Sequence, residues 1–93
     1  MSTTKDLLKA GMLNEGDTLI WKRRVQGITH EAKIHRDGTI ETSDGKKHKT
    51  PSGAAKHLNN DKPVDGWIAW RLKNSGEQLS TLRAKLPRPP SHQ

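Results

Sequence analysis

Apolar positions along this chain recur first at helical spacing and then at every second residue. Leu7, Leu8, Gly11 and Met12 share one helical face, with Lys5, Asp6 and Lys9 elsewhere, which predicts a helix from Thr3 or Thr4 to Leu13. Asn14-Glu15-Gly16-Asp17 is a stop and turn. Thr18 to Arg24 then alternates as a strand, with Leu19 and Trp21 on one face and Ile20 on the other. Gln26-Gly27 signals a turn. Ile28 to Arg36 follows as a second strand with Ala32 and Ile34 inward, and Thr39 to Ser43 as a third around Ile40. Asp37-Gly38 fits a two-residue hairpin turn of the primed type, and Asp44-Gly45 repeats the signal. Lys46 to Lys49 has no apolar residue, so it is predicted as an edge strand or an extended arm.

The second half begins with the clearest helix start in the chain. Thr50 suits the N-cap, where its hydroxyl accepts an otherwise unpaired backbone N–H. Pro51 suits the first helical position, where its missing N–H costs nothing. The helix is predicted to run to about Asn59, with Ala54, Ala55 and Leu58 as a thin apolar stripe. A loop over residues 59–66 leads to a predicted strand from Trp67 to Lys73, with Ile68, Trp70 and Leu72 on one face and Trp67, Ala69 and Arg71 on the other. Leu79, Leu82 and Leu86 suggest a last helix, ended by Leu86-Pro87-Arg88-Pro89-Pro90. The expected architecture is α+β in a single domain over residues 1–86. A small antiparallel sheet of four to five strands is joined by two to three helices. The first and last helices cover one side and the middle helix precedes the final strand. Residues 87–93 are expected to be a disordered tail.

Composition narrows the class. Leu, Ile and Val make up 16 of 93 residues and Phe is absent, so the core is small and rests heavily on three tryptophans. Cysteine is absent, which excludes a disulfide framework and thiolate metal sites. No apolar run reaches the roughly 20 residues of a membrane span, and no signal-like stretch opens the chain. A cytoplasmic protein without cofactor or metal is expected. Net charge is +7, and residues 22–56 hold nine Lys/Arg against four acids, +5 of that total. A polyanion is the natural partner, and nucleic acid the commonest intracellular one.

The order of short motifs is itself distinctive. It runs Ala10-Gly11-Met12-Leu13, Gly16-Asp17-Thr18-Leu19, Asp37-Gly38-Thr39-Ile40, Pro51-Ser52-Gly53-Ala54-Ala55, Gly66-Trp67 with Trp70, and Leu79-Ser80-Thr81-Leu82-Arg83. The series resembles the RAMA domain, the restriction enzyme adenine methylase associated domain, over about residues 5–86. The proline-serine-glycine-alanine-alanine element with its downstream glycine-tryptophan is the specific part. Thr50 stands where a serine is commoner in the family, and either residue can cap. The resemblance implies an α+β module of the kind fused to restriction and methylase proteins. It also implies DNA binding with discrimination of modified bases, placed here near Ser52, Gly53 and Trp67.

The residues themselves yield a candidate set. Lys22, Arg23 and Arg24 end the first strand, where they can clamp phosphates or protect a sheet edge. Lys46, Lys47, His48 and Lys49 lead into the helix start, with Lys56 on the helix. The Ser52 and Gly53 amides and the Ser52 hydroxyl form a candidate anion site at the helix N-terminus, unless Gly53 and Ala54 are small only for close helix–sheet contact. Trp21 and Trp70 are expected in the core, and Trp67 at the binding surface. Together these predict one continuous basic face for double-stranded DNA, with Arg24, Arg36, His48 and His57 available for base edges. The rival class is an adaptor whose basic face meets an acidic protein. Oligomeric state is left open. Glu31-Ala32-Lys33 with Asp17 loosely fits a metal-dependent nuclease, but the pattern is short and Asp17 is equally explained as a helix-to-strand link. A non-enzymatic module is expected.

Overall fold

The computed structural model describes residues 3–86. The order of elements is α1 (Thr4–Lys9), β1 (Thr18–Arg23), β2 (Ile28–Ile34), β3 (Ile40–Thr42), β4 (Lys47–His48), α2 (Pro51–Leu58), α3 (Gly66–Ala69), β5 (Arg71–Leu72) and α4 (Leu79–Ala84). The five strands form one antiparallel sheet in the order β4-β3-β2-β1-β5. This is the expected α+β architecture, with four helices in place of two to three. The expected tail at 87–93 lies outside the described residues.

Alternation decides which face is covered. Leu19, Ala32, Ile34, Ile40 and Thr42 point to one side and are buried. Against them pack Leu7 and Leu13 from the α1 region, Ala54 of α2, Trp70, and Leu79 and Leu82 of α4. Trp70 is fully buried, and its Nε1 donates to the Pro51 carbonyl at 3.1 Å, so its one polar atom is paired. Trp21 packs edge-on against it at 5.9 Å. The opposite sheet face presents Ile20, Lys22, Glu31, Lys33, Glu41 and Lys47, all partly or fully exposed.

Three sequence expectations need correction. The first helix ends at Lys9 rather than Leu13, because Gly11 takes φ +77° and closes a Schellman ending: the Gly11 N–H donates to Leu8 and the Met12 N–H to Leu7. The Asp-Gly turns are not two-residue turns. In both, only the glycine has positive φ, and pairs such as His35–Thr39 and Thr42–Lys46 close three-residue loops. The aspartates instead fasten the loops. Asp37 accepts from the Thr39 N–H and hydroxyl, and Asp44 from the Thr42 hydroxyl and the Lys46 N–H.

The third correction bears on the site. Residues 67–70 are not strand. The Asp65 carboxylate accepts the Trp67 N–H at 3.0 Å and starts the single helical turn α3, leaving only Arg71–Leu72 to pair with β1. Ile68 therefore points outward, 54% exposed, instead of sharing a face with Trp70.

Candidate nucleic-acid interface

The basic arm lies where expected, at the sheet edge. β4 pairs with β3 through Ile40↔His48 and Glu41↔Lys47. Lys46, Lys47 and Lys49 are exposed, as is Lys56 on the adjoining helix. Of the acids near them, Glu41 is held by His35 at 2.5 Å and Asp44 by His57 at 2.6 Å, while Asp37, whose pKa is lowered by the Thr39 hydrogen bonds and then by the charge of Lys47, also faces the arm. The hydrogen bonds from His57 and Thr42 hold the Asp44 carboxyl far below the usual carboxylate range. His48 turns inward with its ring 4.9 Å from that of His57. Its Nε2 is buried without a partner, and burial followed by the charge of His57 lowers its pKa.

The start of α2 is largely occupied by the fold itself. Thr50 Oγ1 accepts the Gly53 N–H at 2.9 Å, the predicted cap. Ser52 Oγ accepts the Gly66 N–H at 3.0 Å. A side chain on Gly66 would overlap the Pro51 carbonyl group and the Ser52 nitrogen, so Gly66 sits directly against the first turn. The amides of Ser52 and Gly53 thus do not form an open cradle: one is capped and the other is crowded by α3. Ala54 and Ala55 are buried, as close helix contact demands.

The run Lys22-Arg23-Arg24 divides. Period two sends Lys22 to the open sheet face and Arg23 to the covered one. The Arg23 guanidinium stacks on Trp21 at 4.7 Å and donates to Asn59 Oδ1 at 2.7 Å and to the Leu58 carbonyl, where it ties down the C-terminus of α2. It is a structural residue as much as a surface cation. Lys22 and Arg24 remain exposed. They do not join the Lys46–Lys49 arm. Lys47 stands level with Glu41, Lys33 and Thr18 across the sheet. Lys22 lies about 13 Å further along and about 14 Å across, so the two groups are roughly 20 Å apart, on diagonal corners of the open face. The single continuous basic face read from the sequence is therefore two regions.

Trp67 also departs from expectation. It sits on α3 rather than a strand, half-buried against the core, with the Arg83 guanidinium over its ring at 4.2 Å. That leaves less of its face for stacking on a base. Asp17 accepts the Asn14 N–H at 2.8 Å, the helix-to-strand link, and Glu31 pairs with Lys73 at 3.5 Å. Among the described residues, no cluster of three His, Cys, Asp or Glu is arranged to hold a metal. No described helix is long and apolar enough to cross a membrane.

Sequence reasoning missed a groove at the other corner. Residues of β1, α3 and β5 enclose about 560 Å³ between Ile20, Ile68 and Trp21, rimmed by Lys22, Arg24 and Arg71. A smaller hollow of about 260 Å³ adjoins it at Trp21 and Arg24 and ends at the hairpin tip, where Val25 is fully exposed. The groove depends on β1 pairing with β5, fifty residues away, and on the outward turn of Ile68; neither has a local signal.

In comparison with protein families, the model described as Restriction Enzyme Adenine Methylase Associated matches residues 2–91. No curated protein matches the chain in sequence.

Proposed function

The chain belongs to the RAMA family, and we propose that it is a non-enzymatic module that binds double-stranded DNA. The association of its family with restriction-modification adenine methylases supports this reading. The observation that carries it is the β4–α2 edge. Lys46, Lys47, Lys49 and Lys56 are exposed there, and the neighbouring acids Glu41 and Asp44 are already engaged by histidines. The four lysines outnumber the acids Asp37, Glu41 and Asp44 near them, and that excess of positive charge attracts phosphates. The dipole of α2 adds a fixed partial positive charge nearby, without requiring a phosphate to reach the capped amides.

A gel shift on mixed-sequence duplex, competed with heparin, tests the proposal. The duplex is expected to resist heparin better than charge alone allows. Replacing Lys46, Lys47 and Lys49 together with Ala is expected to lower duplex affinity at least about tenfold. It is also expected to flatten the salt dependence, since each lost phosphate contact removes roughly 0.9 from the logarithmic slope. An unshifted melting curve would show that the fold survives. Binding to duplex no tighter than to heparin would point instead to an acidic protein partner.

Discrimination of a modified base is the finer part of the proposal. The residues first expected to sense it are Ser52, Gly53 and Trp67, and each is partly committed to α3, the cap or Arg83. Chemical-shift mapping with unmodified and adenine-methylated duplexes tests it: equal affinity and identical shifts for the two would refute it.

A further inference from the structure

We propose that the groove between β1, α3 and β5 receives one unpaired nucleotide displaced from a duplex. The inference rests on the reading of the chain as a DNA binder and adds a site to it. Three features select this occupant. First, part of the floor is apolar: Ile20 and the 54%-exposed Ile68 line the same space, with Trp21 beside them. A base paired inside a duplex shows only its edge, whereas an unpaired base offers a flat face to such a floor. Trp21 itself is not a free platform. Its ring already meets His30, Trp70 and Arg23, so the aliphatic side chains supply the contact.

Second, the rim is cationic and unopposed. Lys22, Arg24 and Arg71 line the groove and no carboxylate does. Glu31, across the sheet from Ile20, is engaged by Lys73. Arg71 is held in place by a hydrogen bond of 2.9 Å from its Nη1 to the Gly76 carbonyl, which leaves its remaining donors for a phosphate fork. Third, the size fits one nucleotide. About 560 Å³ is the scale of a small-ligand pocket. A track for single strands instead extends over about 4–16 nucleotides. Of the remaining cations of the open face, Lys33 stands between the groove and the far corner and Lys47 at that corner, positioned for a duplex that continues past the groove.

Fluorescence anisotropy on the full chain, at fixed salt, tests the site with three probes. They are a duplex carrying one bulged thymidine, the same duplex fully paired, and the single strand. The native protein is expected to prefer the bulged duplex by at least about fivefold over both others. Ile68→Gln removes apolar floor without adding charge at a largely exposed position. It is expected to reduce that preference below about twofold while paired-duplex affinity and the melting curve hold, and Ile68→Val is expected to retain the preference. Equal affinity of the native protein for bulged and paired duplexes overturns the groove assignment and leaves DNA binding standing. Tightest binding to the single strand overturns the displaced nucleotide as occupant. Failure to bind any of the three overturns the groove together with the DNA-binding reading.

Discussion

Gly66 and Gly53 look alike in the sequence and serve different ends. A methyl group on Gly66 would strike the Pro51 carbonyl and the Ser52 nitrogen, which are backbone atoms with nowhere to go. One added at Gly53 meets only the Thr50 hydroxyl at 3.0 Å and the His48 Cβ at 4.0 Å. Thermal denaturation should separate them. Gly66→Ala is expected to cost about 3 kcal/mol, at the upper end for a single substitution. Gly53→Ala is expected to change stability by less than about 1 kcal/mol, because helix preference offsets a mild contact. Because the Gly53 amide is already capped, the same substitution should alter duplex affinity by less than about twofold. A larger loss of affinity with an intact fold would show that a ligand does approach this turn. The proline-serine-glycine-alanine-alanine element and the glycine-tryptophan downstream of it thus meet in space as a joint between helices, a relation that no local pattern in the sequence encodes.

At the scale of elements, β2 and β4 each turn one histidine toward the covered face. The Nε2 atoms of His30 and His48 are buried and unpartnered. Burial lowers both pKa values, aided by Arg23 at His30 and by His57 at His48. A lowered histidine stays neutral in the fold when the unfolded chain has begun to take up a proton. Its contribution is therefore complete above about pH 6.5 and is lost as pH falls toward the folded value. Melting temperature should drop between pH 7 and pH 5, and replacing both histidines with Gln should flatten that drop. The depressed Asp44 carboxyl acts lower, with its contribution present above about pH 4 and lost under stronger acid. Elements with explicit punctuation were legible: the hairpins from aspartate and glycine, and α2 from threonine and proline. The strand expected at Trp67–Lys73 was not, because a four-residue apolar run satisfies both periods. The helical turn there hinges on Asp65 as an N-cap, a signal present in the chain but outweighed by the alternation that follows it.

For the whole molecule, the decisive fact is that charge close in sequence is parted in space. Lys22 belongs to one corner of the open face, with Arg24 next to it in the hairpin, and Lys47 to the other, flanked by Lys46 and Lys49, while Arg23 turns away to α2. The alternation of β1 foretells the parting of Lys22 from Arg23. The distance between the corners requires the strand order, which no local pattern encodes. Sites so far apart should act independently. The combined loss of affinity on replacing Lys22 and Arg24 by Ala together with the arm lysines should equal the product of the two separate losses, within about twofold. A combined loss much smaller than the product, measured by salt-matched anisotropy, would indicate one shared contact region. The arm also has a bearing on how copies of the chain keep apart. β4 is a two-residue strand whose outer rim has unpaired amides and carbonyls, the template on which a foreign strand could extend the sheet. Mutual repulsion between arms on neighbouring molecules guards that rim, so a chain stripped of those lysines gains a tendency to self-assemble edge to edge.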